Sequence, residues 1–269
     1  MRKSQTVWNS ESDIMAKTLF CKFLLLSVAG LSSMLECGAW EMVNSVNNGH
    51  SHITASTNYL WSVNGANEIY RCARPCKGKW QRISGSLMQV DASDDEVWGV
   101  NRKNQIYKRP VDGSGGWKEI SGRLKHVSAS GNGYVWGVNH GDQIYKCKKP
   151  CNGAWKNVGG RLKQIDGGYA YVYGVNSGGQ MYSMPIDGIG SWRAIPHRGI
   201  RMKHVTASGK DDIFAVSTAN DIYRCKKPCV GEFEKMSTNY EQIAQCDATF
   251  DAVFGVSSGG SIFRHFTGK

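Results

Sequence analysis

The residues with chemical capacity in this sequence are its cysteines, a set of recurring carboxylates and hydroxyls, and a series of asparagines at the ends of apolar runs. Six of the nine cysteines fall in three C-x3-C insertions: Cys72-Ala-Arg-Pro-Cys76, Cys147-Lys-Lys-Pro-Cys151 and Cys225-Lys-Lys-Pro-Cys229. The enclosed Pro presets one backbone angle and favours a turn. A turn brings the two cysteines towards the roughly 5.5 Å Cα separation of a disulfide. Zinc binding by such pairs is the rival reading, and it is weaker because the three pairs belong to separate units of the chain.

A polar residue also recurs at Thr54, Asp91, Ser128, Asp166, Thr206 and Asp247. Brought together, Asp91, Asp166 and Asp247 would offer the oxygen ligands that calcium prefers; left apart, the six would bond to neighbouring backbone. Asn64, Asn101, Asn139 and Asn176 each end an aromatic-x-Val triplet. Their amides suit sugar hydroxyls, and they equally suit the start of a turn. Arg123 and Arg161, in S/G-G-R-L, can reach anionic groups or remain solvated loop charges.

Catalytic signatures are missing. The sequence holds no G-x-S-x-G, H-E-x-x-H, Walker loop or paired-cysteine zinc framework. The seven histidines scatter without ligand spacing. His126 and His204 share a repeat position with Gln89, Gln164 and Gln245, which reads as a polar structural contact. Enzymatic activity is not expected.

What must position these residues is a repeat. Trp61-Ser-Val-Asn64, Trp98-Gly-Val-Asn101, Trp136-Gly-Val-Asn139 and Tyr173-Gly-Val-Asn176 recur at steps of 37, 38 and 37 residues. Phe214-Ala-Val-Ser217 and Phe254-Gly-Val-Ser257 follow at steps of 41 and 40, making six copies. Each copy holds four short β-prone runs separated by Gly, Asn and Asp turn signals, with no sustained helical period. Four strands in roughly 40 residues, repeated, predict an all-β six-bladed propeller of four-stranded antiparallel blades. The last copy has only three strands, whereas a Trp-led fourth-strand pattern stands alone at Trp40–Val43. That amino-terminal strand is expected to complete the last blade and close the ring, which removes exposed edges.

The combination of [WYF]-[GAS]-V-[NS] strands, [IM]-[YF] strands and Trp-led strands ending in [SG]-G-x-L resembles the tectonin repeat. The single-module chain is similar to the fish-egg lectins, relatives of the horseshoe-crab tachylectins. The resemblance implies a sugar-binding propeller that recognises N-acetylglucosamine-bearing glycans on microbial surfaces. Ser217, Ser257 and Phe233 depart from the pattern in the fifth and sixth copies.

The remaining features concern the ends and the charge. Residues 1–35 read as a leader and signal peptide, with Met15 the better start: Lys17 and Lys22 precede an apolar run to Leu31, followed by small residues. Residues 36–269 form the propeller, and the product is expected to be secreted, with no membrane span and no required cofactor. Cys21 leaves with the leader, so Cys37 and Cys246 pair by elimination, unless Cys37 links two subunits as a homodimer. The formal charge of +11 concentrates on the cysteine loops at Arg71, Arg74, Lys148, Lys149, Lys226 and Lys227. Such a rim attracts phosphate-rich surfaces, including bacterial lipopolysaccharide, or serves solubility alone. Secretion argues against nucleic acid as a partner. A structural, protein-binding scaffold is the alternative to a lectin.

Overall fold

The computed structural model describes residues 39–43, 49–129, 131–207, 212–226, 228–236 and 243–267. Six four-stranded antiparallel sheets succeed one another along the chain, over residues 50–83, 89–120, 126–161, 164–195 and 202–235, and finally 243–266. The sixth sheet takes its outermost strand from Trp40–Val43. That strand runs antiparallel to Ile262–Phe266 with Trp40 opposite His265 and Val43 opposite Ile262, as the repeat arithmetic requires. First strands of consecutive blades touch all the way round, and the sixth touches the first. The result is a closed six-bladed β-propeller.

Each blade is buried on both faces by its neighbours, which explains why the second strands lack a polar side. In Ile213 to Val216, as in Leu60 to Val63, every residue is buried; a sheet covered on both faces reads as a continuous apolar run. Six hydrophobic clusters fill the six blade junctions. One, for example, joins Trp98, Ile106 and Ile120 of blade 2 to Leu124, Val127 and Val135 of blade 3. Another spans the closing junction with Phe254 and Ile262 against Ile53 and Leu60.

The aromatic signature residues stitch these junctions. Trp61, Trp98 and Trp136 are fully buried and meet Trp117, Trp155 and Trp192 of the next blade edge to face, at 6.1, 6.4 and 6.4 Å between centroids. The indole N–H of Trp117 donates to the Ser84 carbonyl at 2.9 Å, and that of Trp155 to Ser121 at 2.8 Å. These acceptors belong to the S-G turn of the preceding blade, so the two halves of the motif are partners across a junction. The Gly of W-G-V has its own reason. A Cβ on Gly137 would press into the Leu124 side chain and lie 2.9 Å from the His126 carbonyl oxygen; on Gly174 it would meet Leu162 and the Gln164 carbonyl in the same way. Gly137→Ala is therefore expected to cost about 1–3 kcal/mol by overpacking, measured by urea unfolding. A neutral result would show that Leu124 yields freely.

In blade 1 both partners change together. His50 stands where blades 2 to 4 have Leu87, Leu124 and Leu162, Ser62 stands where they have Gly99, Gly137 and Gly174, and His50 Nδ1 and the Ser62 hydroxyl lie 2.9 Å apart.

Candidate functional site

Antiparallel connectivity puts the second-to-third-strand turns and the inter-blade links on one face of the ring, and the remaining loops on the other. The asparagines occupy the first face. Asn64 Oδ1 accepts the backbone N–H groups of Ala66 and Glu68 at 3.1 and 2.8 Å, while its Nδ2 donates to the Glu68 carboxylate at 2.9 Å. Asn101 and Asn139 repeat the arrangement with Gln105 and Gln143, and Asn176 bonds Gln180 by both its amide groups. These amides thus build the turns, and the structure gives each a partner within it. Arg123 and Arg161 lie exposed on the same face, donating to the Gly122 and Gly141 carbonyls.

The opposite face carries the three cysteine loops. Cys72–Cys76, Cys147–Cys151 and Cys225–Cys229 are disulfides with Cα separations of 5.6, 5.5 and 5.5 Å. Among the described residues Cys246 is a buried thiol without a disulfide partner, and its expected partner Cys37 lies outside them, as does the whole leader. The cationic rim is thinner than the sequence suggests, because several of its members turn inward. Lys149 donates to the Ala129 carbonyl at 2.6 Å, and Arg71 lies over the Tyr59 ring at 5.1 Å. Lys148 and Lys226 remain exposed, and Lys227 lies outside the described residues.

Arg74 also turns inward, and it organises a cleft of ≈ 590 Å³ at the junction of blades 6 and 1. Its guanidinium donates to both oxygens of Asp251 at 2.9 and 2.7 Å and sits 5.2 Å from the Phe254 ring centre. Burial opposes ionisation of Asp251, but the Arg74 and Thr249 hydrogen bonds outweigh it and hold the carboxyl below its usual range. Phe250, 57% exposed, stands in the wall. Tyr169, 67% exposed, holds the equivalent loop position in blade 4. An exposed aromatic face thus stands beside a carboxylate–guanidinium pair, the guanidinium arms being engaged with Asp251 on one side and with the Ser56 and Thr57 carbonyls on the other. The sequence places Arg74 among surface charges and does not single out Phe250, because an aromatic shared by only two of six loops carries little periodic signal.

Along the axis the repeat produces two stacked rings. In the first, hydroxyls of odd-numbered blades alternate with carboxylates of even-numbered ones. The Thr54 hydroxyl donates to Asp247 at 2.9 Å and accepts the Ala92 N–H at 2.9 Å; the Ser128 hydroxyl donates to Asp166 at 2.8 Å and accepts the Gly167 N–H at 2.9 Å. Asp91, Asp166 and Asp247 each take a backbone N–H from the next blade, of Ala129, Ala207 and Ala55. The three carboxylates are thus tied into blade-to-blade bonds and separated by hydroxyls, so this donor set does not fit calcium as it stands. Burial, then the neighbouring Asp247, pushes Asp166 up to about 7, and burial raises Asp247 as well.

The second ring lies two residues earlier on the same strands and corrects the expectation of scattered histidines. Its members are His52, Gln89, His126, Gln164, His204 and Gln245. Each glutamine clamps the backbone of the residue after the next blade's histidine: Gln89 bonds both the N–H and the C=O of Val127, Gln164 those of Val205, and Gln245 those of Ile53. The three histidines converge on the axis, with ligand atoms all within 4.8 Å of one another. Burial lowers their pKa values, to about 4 for His52 and about 3 for His126, and His204 falls with them. The signal for this ring lies in the repeat itself, where His52 falls at the position of His126 and His204 and completes the alternation with glutamine.

No helix among the described residues is long and apolar enough to cross a membrane. No curated protein shows significant similarity to this chain. Among solved structures, U3-55K superposes with a TM-score of 0.62 at 8% identity, over 84% of this chain and 98% of that one. Virginiamycin B lyase from Staphylococcus aureus superposes at 0.58 and 15% identity, over 84% and 97%. Human WBSCR16 does so at 0.58 and 9% identity, over 78% and 72%. At these identities the likeness is one of fold alone. The tectonin domain model matches residues 31–190, the region where the Trp-Gly-Val-Asn and S/G-G-x-L elements interlock most regularly. More than half of the sequence and all six blades thus follow one scheme, and the chain belongs to the tectonin domain family.

Proposed function

We propose that this protein is a secreted, non-enzymatic lectin that binds N-acetylglucosamine-type glycans and, through them and its basic charge, bacterial lipopolysaccharide, in innate or egg defence. The observation that carries this reading is the blade 6–blade 1 cleft, where exposed Phe250 stands beside the Arg74–Asp251 pair. Aromatic C–H stacking beside the partly exposed Asp251 carboxylate, which keeps acceptor capacity for hydroxyls, fits a pyranose better than a flat protein partner. Three disulfides support an oxidising compartment. A second exposed aromatic at the equivalent loop position, Tyr169, favours more than one weak site acting together, so that avidity exceeds single-site affinity.

Retention on an immobilised N-acetylglucosamine matrix and elution by the free sugar are the expected results. Phe250→Ala is expected to weaken binding on the order of tenfold, about 1.4 kcal/mol, with the thermal unfolding midpoint nearly unchanged because the ring is exposed. Elution by salt alone would assign retention to charge. Absence of retention, with capture of a protein ligand instead, would favour the scaffold reading.

A further inference from the structure

We propose that His52, His126 and His204 form a transition-metal site of the zinc class on the propeller axis. Three observations converge. The three side chains come from alternate blades and are related by the ring's approximate threefold repetition, so their rings surround the axis at centroid separations of 6.1, 6.0 and 6.4 Å. Their ligand atoms lie within 4.8 Å of one another. None of the six ring nitrogens has a hydrogen-bond partner among the described residues, although all six are shielded from solvent.

The third observation points to a ligand. A buried polar atom left unpaired costs about 1–3 kcal/mol, and six of them at one point on the axis is a poor arrangement for a purely structural contact. Glutamine at the same ring position satisfies its amide in all three even blades, so the strand geometry does not force an unpaired group there. Neutral imidazoles each present one lone pair, and three of them supply an all-imidazole ligand set of the kind that holds zinc with one position left for water. At zinc–nitrogen bonds of about 2.0–2.1 Å, tetrahedral ligands sit about 3.3 Å apart, so each nitrogen needs to move inward by less than about 1 Å. Rotation of the imidazoles accomplishes that without moving backbone clamped by Gln89, Gln164 and Gln245. Nitrogen ligands with no thiolate or carboxylate favour Zn²⁺, Cu²⁺ or Ni²⁺ over Ca²⁺ or Mg²⁺. Lys125 and Lys203 precede two of the ligands, but Lys125 is paired with Asp142 and Lys203 with Asn220, which turns their charge outward. A metal here would tie blades 1, 3 and 5 together through the centre of the ring.

The test uses the whole chain, stripped with a chelator, dialysed, and titrated with Co²⁺. One equivalent is expected to bind, with the visible d–d absorption of a four-coordinate site and no thiolate charge-transfer band, and Zn²⁺ is expected to displace it. His126→Gln and His204→Gln, which install the residue of the even blades, are each expected to weaken binding at least about 100-fold. Exposed His140→Gln is expected to leave it unchanged. Failure to saturate at one equivalent, or undiminished binding in the two axial variants, overturns the proposal. Should the axial variants misfold by circular dichroism, anomalous scattering from zinc-soaked wild-type crystals decides: a peak between the three rings supports the site, and its absence at saturating zinc refutes it.

Discussion

Replacing Trp40 with Ala is expected to destabilise the protein by about 3–5 kcal/mol, the range for truncating a buried aromatic. Trp40 is 3% exposed and packs in the blade 5–blade 6 junction with Phe214, Ile222, Ile243 and Phe263, its ring 5.4 Å from that of His265. It is also the anchor of the closing strand. Losing it frees Glu41, Met42 and Val43 from Ile262–Phe266 and exposes the edge of the last blade, an invitation to intermolecular pairing. The comparison that isolates packing is Glu41→Gln. Glu41 accepts from Arg264 at 3.0 and 2.9 Å, but both partners are partly exposed, so this variant is expected to lose under about 1 kcal/mol. Guanidinium unfolding with light scattering reads both stability and association. Equal, small losses in the two variants would mean that the ring does not depend on its amino-terminal strand.

The second large effect concerns the carboxylates at the axis. The Thr206 hydroxyl lies 3.0 Å from Asp166 and 2.8 Å from Asp247. A hydroxyl has one proton and can donate to only one of them, so the other contact is a hydrogen bond only if a carboxyl donates to Thr206. Burial and the mutual repulsion of the two acids supply that proton, which is why Asp166 rises to about 7. A folded-state pKa above the unfolded value means that the folded protein holds the proton more tightly. The resulting stability is present in full below about pH 4 and is lost as pH rises towards 7, at up to about 1.4 kcal/mol per pH unit for one proton. The axial histidines, with lowered pKa values, act in the opposite sense below about pH 6.5, so the raw curve mixes the two. The difference between wild type and Asp166→Asn separates them: the wild-type advantage is expected to shrink steadily from about pH 4 to about pH 7. Asp166→Ala is expected to cost on the order of 3–5 kcal/mol at low pH, since the Ser128 hydroxyl and the Ala207 N–H lose their acceptor and the Thr206 oxygen loses the carboxyl proton it accepts. A pH-independent difference between wild type and Asp166→Asn would show that no proton is held there.

Much of this architecture was legible in one dimension. Periodicity alone defines six units, four strands in each, and the pairing of residues 40–43 with the last unit, because hydrophobic and turn patterns are local and a ring leaves one stray strand with one place to go. The C-x3-C disulfides were legible for the same reason: both partners lie within one turn, so sequence distance is spatial distance. Where each strand ends was less so. The fourth strand of blade 3 begins at Lys156 and runs to Arg161, past the Val158 where its apolar pattern stops, because hydrogen bonding to a neighbour carries a strand beyond its hydrophobic residues.

Function was divided along the same line. Residue types at each repeat position, including the alternation of His with Gln and of hydroxyl with carboxylate, are properties of the sequence. Whether Arg74 faces solvent or Asp251, and whether three histidines ever meet, depend on contacts between distant parts of the chain; Arg74 and Asp251 are 177 positions apart. Those encounters are set by the closing of the ring, and a linear pattern carries no record of which side chains a circle brings to its centre.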